Sequence, residues 1–347
     1  MKPTASVPLV DRFDALLFDL DGVVYVGPAA VPHAADAIAE ARSRGVHCVY
    51  VTNNAARPPQ AVADHLHELN IPAEVDDVVT SPQAAVSLLA GYVSPGAKVL
   101  VIGGAGIRVA LADRGYVPVQ SLDEGPAAVM QGYSPDLTWR DLAEATFAVR
   151  AGLPWIATNP DLTFPTQRGV APGNGALVDV VARTAGRAPD AVAGKPEPAL
   201  LREAIERTGS HHPLMIGDRL DTDISAGSRV GVPTLLVFTG VTTVRQLLTA
   251  IPQERPDFVA YDLRVLGSQY PDVEVLSDAA HCGEARALVE GGAIMADWPS
   301  QADPWDAVRA AAALAWRCAD EGRAVDVDRV SAALTAEALS AATLERC

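Results

Sequence analysis

Short apolar runs alternate along this chain with stretches of helical period, and several of them close on a cluster of polar residues. Ala15-Leu16-Leu17 runs into Phe18-Asp19-Leu20-Asp21-Gly22, and Val46–Val51 into Thr52-Asn53-Asn54. Leu214–Ile216 runs into Gly217-Asp218-Arg219-Leu220-Asp221-Thr222-Asp223. Runs without in/out alternation suit strands covered on both faces, which means a parallel sheet with helical crossovers. Such a sheet presents its ligand crevice at the carboxyl ends of its strands. The polar clusters therefore fall together along one edge, so the pattern constrains fold and site at once.

The first helix is expected over about His33–Arg44, stopped by Gly45, and the second over about Pro59–Leu69, ahead of Val78-Val79-Thr80-Ser81. The pattern then restarts. Strands are expected at Val99–Ile102, Ala127–Gln131 and Trp155–Ala157, with helices at Ile107–Arg114 and Thr138–Ala151. The restart predicts a second α/β unit inserted into the first, with Val192–Ala193 leading back to the original sheet at Gly194-Lys195-Pro196. Leu214–Ile216, Thr234–Phe238 and Phe258–Ala260 complete that sheet. The expected division is 1–82 with 188–270 as one domain, 83–187 as the insert and 271–347 as an extension. From Val273 to Cys347 there are 13 acidic and six basic residues and few convincing strands. Helices are expected there at about Trp305–Ala319 and Val327–Leu339, with Trp298, Trp305 and Trp316 serving as packing.

Asp19 and Asp21, closed by Gly22, supply oxygen ligands of the kind magnesium prefers and set a nucleophile beside an acid/base. Thr52 offers a hydroxyl and the amides after it to phosphate oxygens, and Lys195 a fixed positive charge. A phosphate dianion will not approach bare aspartates, because two unit charges ~4 Å apart interact by about 4 kcal/mol at an effective dielectric of about 20. A divalent cation together with Lys195 turns that repulsion into attraction. The formal net charge of −16, with no basic stretch, excludes nucleic-acid binding by counterion release. It does not exclude a phosphate substrate, since a metal and one lysine reverse the local field. Cys48, Cys282, Cys318 and Cys347 show no CxxC spacing, as expected of a reducing compartment. No charged-then-apolar leader and no apolar run near about 18 residues are found, so a cytoplasmic protein without membrane contact is expected.

Together these pieces resemble the haloacid dehalogenase (HAD) phosphatases and, within them, subfamily IIA, the NagD-like and 4-nitrophenylphosphatase-like proteins. The likeness covers roughly residues 10–270. It is carried by Asp21-Gly22-Val23-Val24-Tyr25, Thr52-Asn53-Asn54, Gly217 to Asp223, Thr239-Gly240-Val241, Asn159-Pro160-Asp161 and Pro172-Gly173-Asn174-Gly175. The resemblance implies a Rossmann-like HAD core with an inserted α/β cap and a small C-terminal extension. It implies a Mg2+-dependent phosphatase in which Asp19 becomes phosphorylated, while Asp21 protonates the leaving alkoxide and then deprotonates water. Magnesium would be held by the Asp19 carboxylate, the Asp21 carbonyl and the Asp218 carboxylate. Asp223 would orient Lys195 or metal-bound water, and Thr52, Asn53 and Lys195 would bind phosphate.

The substrate implied is a small phosphorylated metabolite, glycerol 3-phosphate first, with phosphoglycolate, pyridoxal phosphate and nucleoside monophosphates open. The resemblance also allows a homodimer through the cap. A dehalogenase would need no acid at Asp21, and a P-type ATPase would carry a DKTG-like motif and membrane spans. A sensor or binding module whose tail recruits a partner is the reading from another class. Val101 to Ile107 imitates a dinucleotide turn, but Val109 stands where the third glycine belongs, so a plain strand-to-helix turn is expected. Asn159 to Gly175 reads as a substrate-specificity loop, in which Asp161 and Arg168, with Asn54 nearby, meet the part of the substrate beyond the phosphate. His211-His212 reads as surface.

Overall fold

In the computed structural model, which describes residues 7–166 and 168–344, Ala15–Phe18 is an inner strand of a six-stranded sheet. The order is Phe258–Ala260, Thr234–Val237, Pro213–Gly217, Ala15–Phe18, His47–Thr52 and Val78–Thr80, and every pair is parallel. All four residues of Ala15–Phe18 are buried. Leu16 and Phe18 join one apolar cluster with Ile38, Tyr50 and Leu66, and Leu17 joins the opposite one with Val49, Leu200 and Met215. Helices on both faces explain why the run lacks alternation. From Ala15–Phe18 the chain winds outward through two strands on one side and later returns on the other at Pro213–Gly217.

 The reversal opens the crevice between the ends of these two neighbouring strands. The residues that follow those ends are Asp19 and Asp218.

The insert builds its own parallel sheet, in the order Ala191–Val192, Trp155–Ala157, Ala128–Gln131, Lys98–Ile102 and Val117–Val119. Here the sequence expectation needs correcting. Ala191 and Val192 pair with Ile156 and Ala157, so this strand belongs to the inserted sheet, which extends past residue 187. A two-residue apolar pair carries no period that could assign it to either sheet. The pairing is continued by hydrogen bonds from the Ala193 and Gly194 amides to the Ala157 and Thr158 carbonyls, so the insert's last strand runs directly into Lys195. The stretch from Asn159 to Gly175 is more ordered than a loop: Thr163–Thr166 and Gly169–Pro172 form an antiparallel hairpin.

The tail also departs from expectation. Val273–Val275, Ala279–Cys282, Ala285–Glu290 and Ala293–Asp297 form a four-stranded antiparallel sheet. These strands are rich in alanine, a weak strand former, so propensity hid them. The one local signal was Gly291-Gly292, whose positive φ angles of 57° and 80° close the last hairpin. Helices Pro304–Asp320 and Asp328–Leu344 follow as expected. The tail shares a core with the six-stranded unit, since Trp305, Leu314 and Cys318 cluster with Leu236, Leu247 and Leu248. Trp316 packs there and donates from Nε1 to the Leu247 carbonyl at 2.8 Å. Cys48, Cys282 and Cys318 are free and buried, while Cys347 lies outside the described residues. Among the described residues no helix is long and apolar enough to cross a membrane.

Candidate active site

Lys195 is the hub of the crevice. Its Nζ lies 2.6 Å from Asp19 Oδ1 and 2.8 Å from Asp223 Oδ1, and it donates to the Val51 carbonyl at 3.2 Å. Lys195, Asp218 and Asp223 are only 1–2% exposed, and the Asp19 side chain keeps 14%. Three loops from the first sheet and one from the insert thus converge, each entering at a strand end. Asp218 is fixed by the segment after the Thr234–Val237 strand: its Oδ2 accepts from the Val241 amide at 2.8 Å, and its carbonyl from Thr242 Oγ1 at 2.6 Å. Gly240 is required there, because a Cβ would overlap the Asp218 carboxylate. The sequence marked Thr239-Gly240-Val241 without giving it a task; its place after a strand was the available signal.

The charges do not balance within the protein. Carboxylate oxygens of Asp19, Asp218 and Asp223 lie within 4.8 Å of one another, against the single ammonium of Lys195. Burial, reinforced by Asp218 and Asp223 against the pull of Lys195, holds the Asp19 carboxyl well above its usual value. Burial and then Asp223 push Asp218 up to about 7. Burial alone would depress Lys195, but the Asp19 and Asp223 charges outweigh it and raise the ammonium. Asp218 Oδ1 is buried with no hydrogen-bond partner. A divalent cation fits this set: it would occupy that orphaned oxygen and offset the surplus negative charge with the oxygen ligands it prefers.

Asp21 sits at the exposed mouth, its carboxyl raised by partial desolvation against the pull of Lys195, Arg57 and His65. Thr52 is buried and its Oγ1 accepts from the Asn54 amide at 3.1 Å. Asn54 is exposed and shapes the turn, its Oδ1 accepting from the Ala56 amide at 2.9 Å.

The Asn53 side chain joins the insert to Lys195. Its Nδ2 donates to Asp161 Oδ2 at 3.0 Å and to the Lys195 carbonyl at 2.9 Å, while its Oδ1 accepts from the Lys195 amide at 2.8 Å. With both side-chain N–H groups committed, Asn53 ties the insert's loop to Lys195, which leaves its backbone amide as the donor it could offer to phosphate. Asn159, which the sequence left without a role of its own, adds a donation from Nδ2 to the Asn53 carbonyl at 2.7 Å.

Asp161 therefore does reach the crevice, 4.0 Å from Arg219 Nη1, a residue whose role sequence reasoning missed. Arg219 also pairs with Asp221 at 2.8 Å. Arg168 is exposed at the turn of the Thr163–Pro172 hairpin. His211 and His212 are exposed, and their amides donate to Asp14.

The chain is similar to known hydrolases over most of its length. Residues 16–117 match the haloacid dehalogenase-like hydrolase family, and residues 192–266 match a second HAD-hydrolase-like family. The chain is 41% identical over 326 residues to D-glycerol 3-phosphate phosphatase of Mycobacterium tuberculosis, covering 92% of this chain and 89% of that protein. It is 39% identical over 238 residues to an acid sugar phosphatase of Staphylococcus aureus, covering 68% of this chain and 90% of that one. Among solved structures it resembles glycerol phosphate phosphatase of M. tuberculosis in complex with magnesium, with a TM-score of 0.82 at 40% identity over 90% of this chain and 92% of that one. It also resembles p-nitrophenyl phosphatase from Archaeoglobus fulgidus, with a TM-score of 0.68 at 28% identity over 74% and 98% of the two chains.

Proposed function

This chain belongs to the haloacid dehalogenase-like hydrolases, and we propose that it is a magnesium-dependent phosphatase of small phosphorylated metabolites, with glycerol 3-phosphate as its substrate. The observation that carries the reading is the Asp19 carboxylate held by Lys195 beside Asp218 and Asp223 at the switch point of the sheet. Asp19, the Asp21 carbonyl and Asp218 hold Mg2+, which when bound supplies positive charge to the phosphoryl oxygens. Lys195 adds a second positive charge from the protein.

An Asp19 oxygen attacks phosphorus, and the bond from phosphorus to the substrate oxygen breaks. Asp21, whose carboxyl desolvation raises above its usual value, gives a proton to that departing oxygen and releases the alcohol. The Asp21 carboxylate then takes a proton from water as the water oxygen attacks the aspartyl-phosphate. The bond from phosphorus to Asp19 breaks, phosphate leaves, and both aspartates return to their starting states. Asp223 orients Lys195, and Thr52 contacts the phosphate.

Glycerol 3-phosphate is supported by the likeness to the mycobacterial phosphatase and by Asp161, a hydroxyl acceptor on the insert's side of the crevice. The insert acts as a cap over the substrate. A homodimer through it is supported by Trp139 and Phe147, 79% and 54% exposed on one cap helix. The free cysteines suit the cytoplasm.

Phosphate release across a panel of phosphorylated metabolites tests the reading. EDTA is expected to remove activity and Mg2+ to restore it, whereas Ca2+, with its looser and higher coordination, is expected not to support turnover. Full activity in EDTA, or no release from any phosphomonoester, would refute the proposal.

The cap's part in specificity gives a separate expectation. Asp161→Ala should lower kcat/KM for glycerol 3-phosphate about tenfold more than for 4-nitrophenyl phosphate, the size of one lost hydrogen bond of about 1.4 kcal/mol. Equal losses on both esters would mean that Asp161 only positions the cap through Asn53.

A further inference from the structure

We propose that Trp305, in the tail, is a positioning residue for Mg2+ binding: it fixes Asp218 through Phe238 and the 238–242 loop. The inference rests on the metal site proposed above and gives the tail a place in its frame. Trp305 is 6% exposed at the start of helix Pro304–Asp320, where its amide donates to the capping Asp303 side chain at 3.0 Å. Its ring lies 4.9 Å from that of Phe238 and 5.8 Å from that of Tyr261. The Phe238 amide donates to the Ala260 and Tyr261 carbonyls, so the indole packs against both partners at the point where the loop leaves the sheet.

From Phe238 onward nearly every residue of the loop is committed to the metal site. Thr239 donates from Oγ1 to the Gly22 carbonyl, next to Asp21, at 2.5 Å. Gly240 is pressed on the Asp218 carboxylate, with no room for a Cβ. Val241 and Thr242 donate to Asp218 Oδ2 and to its carbonyl. Leu220 and Ile224, which flank Asp223, lie in the same apolar cluster as Trp305. A loop in such close contact transmits a shift at Phe238 to Asp218, because packed side chains have little free space to absorb it. Residues that orient metal ligands commonly alter affinity tenfold or more when removed.

The test is Mg2+ binding to the full-length chain by titration calorimetry, with phosphate release measured in parallel. Trp305→Ala is expected to weaken Mg2+ binding about tenfold. The Mg2+ concentration for half-maximal activity should rise by the same factor, with kcat at saturating Mg2+ little changed. Trp305→Phe, which keeps a ring against Phe238, should restore most of the affinity. Phe238→Leu removes the same contact from the loop side and should reproduce the effect, which covers the case in which Trp305→Ala fails to fold. Leu314→Ala, further along the same helix, serves as a control for lost tail stability.

The proposal is overturned if Trp305→Ala and Phe238→Leu bind Mg2+ as tightly as the wild type, or if Leu314→Ala weakens binding as much. Absence of Mg2+ binding by the wild type would instead overturn the metal reading on which it stands.

Discussion

Asp19→Asn is expected to lower kcat by on the order of 10^5-fold at saturating Mg2+, as removal of a covalent nucleophile does elsewhere. An amide nitrogen or oxygen is too poor a nucleophile to open the phosphate ester, and no second carboxylate can replace it. Asp218 is held by the Val241 amide and Asp223 by Lys195 and the Arg219 amide. The protein should stay folded, because Asp19 lies beyond the end of its strand and Lys195 keeps Asp223 as a partner. Burial and two neighbouring carboxylates hold Asp19 well above its usual pKa, so its charge opposes folding at neutral pH in the metal-free protein. The metal-free melting temperature of the variant should therefore equal or exceed that of the wild type. Phosphate release and thermal melting measured on one preparation decide the matter. Substantial turnover by a folded Asp19→Asn protein would eliminate the aspartyl-phosphate route.

Lys195→Met should damage both folding and catalysis. Methionine fills much of the volume but leaves buried Asp218 and Asp223, and the partly buried Asp19, around an apolar side chain. Stripping the cation from a buried ion pair costs about 3–5 kcal/mol, and kcat/KM should fall by at least about 10^3-fold with the loss of a charge facing the phosphoryl oxygens. The loss should depend on pH. A carboxyl raised in the folded state takes up its proton there before it does in the unfolded chain, so the folded state gains stability as pH falls from about 7 toward about 4. Asp218, pushed up to about 7, and Asp19, also raised, both act in this direction. Without Lys195 both rise further. Metal-free Lys195→Met should gain melting temperature from pH 8 to pH 5 more steeply than the wild type. A parallel pH dependence of the two proteins would show that Lys195 does not balance these carboxylates.

Much of this site was legible because the chemistry sits at strand ends. Each strand is a local apolar run, and the residues at its end or just beyond it, Thr52, Asp19 and Asp218, are fixed by chain connectivity alone. Lys195 was also legible as a cation after a strand, although the strand belongs to the inserted sheet. What local patterns could not supply was partnership between distant segments. The side-chain amide of Asn53 joins Asp161 and Lys195, which lie 108 and 142 residues further on, and no local pattern points to either partner. The same holds for the tail, whose alanine-rich strands carry little propensity and form because helix Pro304–Asp320 covers them.

The sequence by itself determined the parallel architecture and the aspartates and lysine that gather at the strand ends, since short-range patterning governs which residues end a buried strand. Only the tertiary structure decided which sheet receives Ala191–Val192, how the Asn53 side chain spends its hydrogen bonds, and that Trp305 meets Phe238 where the loop holding Asp218 leaves the sheet. These outcomes depend on which surfaces meet after the chain has folded, and a hydrogen bond or ring contact between distant residues leaves no period in the sequence that separates them.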